Sequence, residues 1–270
     1  MKRVRRTELL IADYKTGFYR RDFLKMAGAA MATGALAPWD GWKALAQETG
    51  EPVRGGDIQI AIGQTPVSFY GRNVSAISSF QISWNFYNRL VKFTLDGSEF
   101  KIVGDLAESW EEGEDGSLTF TLREGVKFHN GETLTASDVA YTFNSTTNPA
   151  VRADSKSSGP FSLVVVYLGL IGKEVQALDE RTVFFPANGR PFAPLLSALA
   201  SFGGIINEKA DKEVNLATQP IGTGPFRLVE SVPGTRWVME RNPDYFKEGL
   251  PYLDRVTWNL LEDAFARVRA

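Results

Sequence analysis

The segment from Asp105 to Asn144 constrains the fold most, because it holds several local structural signals in close succession. Leu118–Leu122 alternates apolar and polar side chains, which predicts a strand. Val126–Phe128 follows after a three-residue break that ends in glycine, which predicts a hairpin with that strand. Asn130-Gly131 predicts a tight turn, since both residues tolerate a positive φ.

A helix is predicted directly after this turn. Thr135 and Asp138 have the spacing of a capping box, with Asp in place of the usual Glu or Gln. Asp57–Gly63 alternates and predicts the first strand, and Ser78–Val91 has the apolar spacing of an amphipathic helix. Further elements are predicted as a strand–turn–strand unit in Val175–Phe185, a helix from Pro191, and strands at Arg236–Glu240 and Arg255–Leu260.

Composition excludes several classes of function. The 270 residues are 43% hydrophobic and carry a formal net charge of -2, which argues against a nucleic-acid partner. Residues 1–46 hold nine basic and four acidic side chains, so the remainder has a net charge of -7. The chain has no cysteine, which excludes disulfides, thiolate chemistry and anchoring through a lipidated cysteine.

The amino-terminal segment has the features of an export signal. Tyr19–Lys25 reads YRRDFLK and resembles the twin-arginine motif through Arg20, Arg21, Phe23 and Leu24. A short run rich in Ala and Gly follows, and Ala44 and Ala46 form an A-x-A cleavage site. Residues 1–46 are therefore predicted to be a twin-arginine signal peptide and residues 47–56 a flexible lead-in. The alternative is an amphipathic helix that docks on the domain.

Four segments resemble family 5 extracellular solute-binding proteins, the peptide, opine and nickel receptors of bacterial ABC importers. These segments are Ser83–Thr94, Asp105–Asn144, Val175–Ser201 and Gln219–Trp258. The resemblance implies an α/β fold like that of type II periplasmic binding proteins. Residues 57–270 would form the amino-terminal lobe, with a small α+β domain inserted at roughly 85–200. Ser68-Phe69-Tyr70-Gly71 departs from the Leu-Asp-Pro-like element that usually follows the first strand.

The same resemblance implies a receptor that captures a peptide-like solute in the periplasm and delivers it to an ABC permease. The twin-arginine export machinery would be a further partner. The family's chains build a second lobe after the point where this sequence ends, so that lobe is expected to be missing. Half a cleft buries little of a ligand, and weak or absent binding by the chain alone is expected. The alternatives are an exported cofactor enzyme and a non-functional remnant of a receptor gene.

Candidate solute contacts are predicted at the end of the first strand, on the first helix and in a glycine-rich turn. They are Gln64, Thr65, Ser68, Trp84, Gly222 and Thr223. Loops at the carboxyl ends of strands line clefts in open α/β sheets, and tryptophan stacks on ligands, although core packing is the alternative. The G-T-G-P run at 222–225 lacks the lysine of a phosphate loop and predicts a tight crossing near the cleft.

No catalytic residue, metal site or cofactor is expected. His129 is the only histidine of the chain, and a lone histidine lacks the partners that catalysis or metal binding requires. A structural role in its turn is therefore predicted. Asp105, Glu108 and the acidic run Glu111–Asp115 are expected on the solvated surface.

Overall fold

A computed structural model describes residues 52–70, 77–157, 170, 172–187 and 192–269. The predicted signal peptide with its arginine motif and cleavage site lies outside these residues. Contacts divide the chain into Met1–Val53 and Arg54–Ala270, and every helix and strand of the described residues belongs to the second unit. No helix in the described ranges is long and apolar enough to cross a membrane.

The described residues form two four-stranded sheets. The one with the longer strands, called the larger sheet, combines the first strand of the chain with three late ones. Its order is β1, β10, β9, β8, and these strands are Asp57–Ile62, Arg255–Leu260, Arg236–Arg241 and Phe226–Val232. Strands β1 and β10 pair in parallel, whereas β10 with β9 and β9 with β8 pair antiparallel. The strands predicted at the two ends of the chain are thereby confirmed.

A second sheet of four strands is built entirely from the middle of the chain. Its order is β4, β5, β7, β6, and these strands are Ala107–Glu112, Leu118–Leu122, Thr182–Phe185 and Gln176–Ala177. A separate hairpin joins β2 (Val91–Asp96) to β3 (Glu99–Gly104). All neighbouring strands in both assemblies are antiparallel.

Five helices complete the described architecture. They are α1 (Ile77–Ser83), α2 (Ala136–Thr147), α3 (Phe192–Ser201), α4 (Glu208–Glu213) and α5 (Ala264–Arg269). The predicted capping box is confirmed, because the side chains and backbones of Thr135 and Asp138 bond reciprocally at the start of α2. The strand–turn–strand prediction for Val175–Phe185 is confirmed by β6 and β7.

Two hydrophobic cores lie in the unit Arg54–Ala270. The first contains buried side chains between Leu90 and Ile205, among them Leu118, Phe120 and Phe185. The second lies around the larger sheet and contains buried aromatic side chains from several segments. These are Phe69, Tyr70, Phe86, Tyr87, Tyr141, Phe226, Trp237 and Trp258. Ile221 packs against both cores and therefore lies at the boundary between them.

The predicted helix over Ser78–Val91 is too long. The helix ends at Ser83, and the Asn85 side-chain amide donates to the carbonyls of Gln81 and Ile82, both at 3.0 Å. Such a local side-chain bond competes with helix continuation. Val91 instead begins β2, because the chain passes from the second core to the first at this point.

The predicted hairpin between Leu118–Leu122 and Val126–Phe128 is wrong. Leu118–Leu122 is a strand, but its partners are β4 and β7. The chain leaves the strand through Gly125, whose φ is +71°, and folds back on itself as the Phe128 amide donates to the Glu132 carbonyl. Val126 and Phe128 are buried all the same, so their apolar pattern reports burial rather than strand pairing.

Candidate functional site

The loop after β1 projects polar side chains from the end of a strand in the larger sheet. Gln64 and Thr65 are exposed, and Ser68 is half-buried. The loop is fixed to α1, because the Val67 amide donates to the Ser79 hydroxyl at 2.9 Å. The Ser68 hydroxyl in turn accepts from the Tyr70 amide at 3.0 Å. These bonds fix the later part of the loop, residues 67–70, against α1.

The glycine-rich turn at 222–224 packs directly on the chain that follows α1. The Gly224 amide donates to the Phe86 carbonyl at 2.8 Å. A Cβ at Gly222 or Gly224 would clash with this same backbone, so close approach explains both glycines. Thr223 is fully buried and its hydroxyl donates to the Asn88 side chain at 3.3 Å, so it faces the interior.

His129 holds this turn from the other side. Its ring Nε2 lies 3.0 Å from the Gly224 carbonyl, and the Gly222 amide donates to Nδ1 at 3.4 Å. Both contacts are satisfied by a neutral ring with its proton on Nε2. Burial lowers the pKa of His129 to about 4, opposed by its bond to the Gly224 carbonyl. The imidazole is therefore neutral at physiological pH, and its two ring nitrogens fix the backbone of the turn at 222–224.

Trp84 lies at the edge of a surface groove. Its side chain is 52% exposed, and half of the residues that line the groove, of about 600 Å³, are aromatic. We call it the aromatic groove and define it by Phe80, Trp84, Arg89, Phe93 and Phe202. The Arg89 guanidinium carbon lies 5.1 Å from the centroid of the Trp84 ring, a distance typical of a cation–π contact.

Asp105 is buried, contrary to the prediction of a solvated surface position. Its carboxylate forms an ion pair with Lys247 and accepts from the Asn88 amide at 2.9 Å and the Arg89 backbone at 3.2 Å. Burial is tolerated because each oxygen has a partner. Glu108 and the acidic side chains at 111–115 are exposed, as predicted.

The predicted contacts gather around residues 77–88. The loop after β1 bonds to Ser79 of α1, and the turn at 222–224 bonds to Phe86. Trp84 lies between Ser79 and Phe86 in the sequence. Sequence reasoning missed Arg89, Phe93 and Phe202. The signal for Arg89 was a basic residue within the apolar run FYNRLV, where an unpaired charge would be costly.

The arrangement is suited to binding. Groups of three or more His, Asp or Glu side chains able to hold a metal ion do not occur among the described residues. The residues at the site instead supply hydroxyl, amide, aromatic and guanidinium groups, which are the groups that recognise solutes.

The larger sheet, which joins the first strand to late strands and carries an inserted α+β region, defines a lobe of the type II periplasmic binding proteins. Residues 101–270 match the bacterial extracellular solute-binding proteins, family 5 Middle. The chain belongs to this family.

Two relatives match this chain over only part of their own length. The dipeptide-binding protein of Escherichia coli (strain K12) is 34% identical over 198 residues, which are 67% of this chain and 36% of that protein. The oligopeptide-binding protein AppA of Bacillus subtilis (strain 168) is 30% identical over 234 residues, covering 82% of this chain and 40% of the relative.

The fold is shared with a solved peptide complex. The periplasmic binding protein DppA from Helicobacter pylori, determined with the peptide STSA, superposes with a TM-score of 0.71 at 29% identity. The match covers 81% of this chain and 45% of that structure. The chain thus spans less than half the length of the relatives it matches.

Proposed function

We propose that this chain is the substrate-binding component of an ABC importer for peptides or a related small solute. The observation that carries the proposal is the family membership, together with a polar loop after β1 and an aromatic groove that both adjoin α1. Relatives named for dipeptide and oligopeptide binding support peptides as the solute class. A membrane permease would be its partner.

We further propose the domain organisation indicated by the sequence. Residues 57–270 form one lobe, and a small α+β domain is inserted at roughly 85–200. The two hydrophobic cores support this division, because the first core draws its buried side chains from Leu90 to Ile205. Residues 1–46 would be a signal peptide and 47–56 a lead-in.

Solute contacts are proposed on the exposed residues Gln64, Thr65 and Trp84 and on the half-buried Ser68. Gly222 and Thr223 would contribute indirectly, by holding the turn against the Phe86 backbone, since both residues are buried. In two-lobed receptors, closure on a ligand shifts a hinge equilibrium toward the closed state.

Export by the twin-arginine pathway would place the protein in the periplasm without a lipid anchor. The YRRDFLK motif and the absence of cysteine support this route. The pathway transports folded proteins, which is compatible with a receptor that folds before export.

The binding experiment uses the gene product isolated from the periplasm of its native host. Calorimetry with a dipeptide, a tripeptide and a nonapeptide should detect binding of at least one, and intact mass identifies the polypeptide that binds. A double variant Gln64→Ala/Thr65→Ala should weaken that binding, whereas Glu124→Ala, an exposed residue elsewhere, should not. Absence of binding to every peptide would refute the peptide assignment.

The export route has its own test. Replacement of both motif arginines, Arg20→Lys and Arg21→Lys, should retain the protein in the cytoplasm, as judged by fractionation and by the mass of the uncleaved chain. Unchanged export of this variant would contradict the twin-arginine assignment. The result is independent of the solute.

A further inference from the structure

The aromatic groove contains a charged group that the rest of the protein leaves largely unused. Arg89 is half-buried, and its Nε is a buried donor with no hydrogen-bond partner among the described residues. Within the described ranges its guanidinium forms one hydrogen bond, from Nη1 to the Ser201 carbonyl at 3.4 Å. A guanidinium offers five donors, so three donors on the two Nη nitrogens have no hydrogen-bond partner among the described residues.

The nearest acidic group does not neutralise this guanidinium. Asp105 is already paired with Lys247, and its other oxygen accepts from the Asn88 amide and the Arg89 backbone amide. Within the described part of the chain, Arg89 forms no ion pair with a carboxylate. Burial lowers the pKa of Arg89 and Asp105 opposes the shift, but an arginine stays charged throughout the physiological range.

A structural role accounts for only part of this arrangement. Ser201 is the last residue of α3, so Arg89 provides a cation at a helix carboxyl end, where the helix dipole favours positive charge. One long hydrogen bond serves that purpose. It does not require the exposed aromatic surface that surrounds the guanidinium.

The groove walls provide that surface. Trp84 and Phe93 are 52% and 43% exposed, and Phe80 packs against both Trp84 and Phe202, with ring centroids 6.1 and 5.6 Å apart. Exposed aromatic side chains in a concave surface are typical of sites that bind apolar groups. The groove volume, about 600 Å³, lies within the range of small-molecule sites.

We propose that the aromatic groove binds a carboxylate attached to an aromatic or large apolar group. The carboxylate would accept from the Arg89 guanidinium, and the apolar group would lie against Trp84 and Phe93. The positive charge of Arg89 favours a carboxylate, and the aromatic walls of the groove favour an apolar group attached to that carboxylate. In naming this ligand as the imported solute, the inference rests on the proposed function.

Two sources present the same chemistry, a free aromatic acid and the carboxyl terminus of a peptide that ends in an aromatic residue. The probes are therefore 3-phenylpropionate and the tripeptide Gly-Gly-Phe, each compared with its carboxamide. Binding to the gene product isolated from its native host is measured by calorimetry and by saturation-transfer NMR. We expect at least one acid to bind about tenfold or more tightly than its amide, because a charge-assisted bond is lost in the amide.

The variant Arg89→Gln should remove the preference for acid over amide. Trp84→Ala, at an exposed position, should weaken both members of a pair by a similar factor and serves if Arg89→Gln does not fold. Arg227→Gln is the matched control, since Arg227 is an exposed arginine on another surface. Circular dichroism verifies the fold of each variant.

The outcomes separate the two proposals. Peptide binding that is unaffected by both Arg89→Gln and Trp84→Ala would overturn the groove assignment and leave the receptor proposal standing. An acid preference for 3-phenylpropionate alone would support the groove and identify a free acid, whereas a preference for Gly-Gly-Phe alone would identify a peptide terminus. Equal binding of acids and amides, or no binding of any probe, would overturn the inference.

Discussion

His129 shows how a single half-buried side chain makes the fold sensitive to pH. Both ring nitrogens contact the glycine turn, and burial lowers the pKa of the imidazole to about 4 from an ordinary value of 6.5. Between these two values the unfolded chain binds a proton that the folded chain does not. The free energy of unfolding therefore falls as pH decreases through this window.

We expect the wild type to lose about 2.5 kcal/mol more stability than His129→Gln between pH 7 and pH 4.5, since one pKa unit corresponds to 1.36 kcal/mol. Glutamine keeps an amide donor for the Gly224 carbonyl but does not titrate in this range. Urea unfolding at both pH values gives the comparison. Parallel losses in the two proteins would show that His129 does not cause the effect.

Individual residues also mark the limit of prediction from sequence. The structural role of His129 followed from the lack of catalytic partners, which is visible in the sequence. The burial of Asp105 did not, because its partner Lys247 lies 142 residues away and only the fold brings them together. Arg89 was missed for the same reason, since its contacts with Trp84 and Ser201 depend on how α3 packs.

At the scale of elements, Asp138 joins the beginnings of two helices. One carboxylate oxygen accepts from the backbone and hydroxyl of Thr135, and the other accepts from the Asn207 side chain and the Glu208 backbone. Asn207 is itself the N-cap of α4. Burial raises the pKa of Asp138, which is the cost of placing this carboxylate inside the fold.

Thr135→Ala should destabilise the protein by about 1 kcal/mol, the usual loss for an N-cap. Asp138→Ala should cost about 3 kcal/mol, because it leaves buried donors of both helices unpaired. Glu124→Ala, at an exposed position, is the control and should change stability by less than about 0.5 kcal/mol. Urea midpoints rank the three variants, and equal losses for Thr135→Ala and Asp138→Ala would contradict the shared role.

Helices and strands were predicted correctly where neighbouring residues in the sequence determine them. Prediction failed where the pairing of distant segments determines the structure. The capping box at Thr135 and three strands of the larger sheet, β1, β9 and β10, follow from local pattern, whereas β8 was not predicted. Strand β4 was missed because its acidic side chains predicted only surface, although Trp110 and Ala107 pack inward. The partner of Leu118–Leu122 was consequently misassigned.

At the scale of the whole molecule, a polar cluster lies between the two hydrophobic cores. Asn88 follows Tyr87 of the second core and precedes Leu90 of the first, and it contacts Asp105, Thr223 and Tyr245. Burial raises the pKa of Tyr245 to about 12, so its hydroxyl stays protonated in the cluster. The cluster thus connects segments that are distant in sequence.

We expect Asp105→Asn to lower the free energy of unfolding by about 3 kcal/mol, because it leaves Lys247 without its carboxylate. The control is Glu230→Gln, which removes the exposed pair with Arg236 and should cost less than about 1 kcal/mol. Urea unfolding measured by tryptophan fluorescence and circular dichroism compares them. Similar midpoints for Asp105→Asn and the wild type would exclude the cluster as a stabilising connection.

The parallel pairing of β1 with β10 imposes an order on biosynthesis. Asp57 pairs opposite Arg255, so the ribosome must add nearly 200 further residues before the first strand finds its neighbour. At typical translation rates this takes on the order of 10 to 40 s. The inserted sheet, whose strands lie between Ala107 and Phe185, is complete well before then. The nascent chain therefore carries an unpaired strand edge for most of its synthesis, a period in which chaperones have access to it.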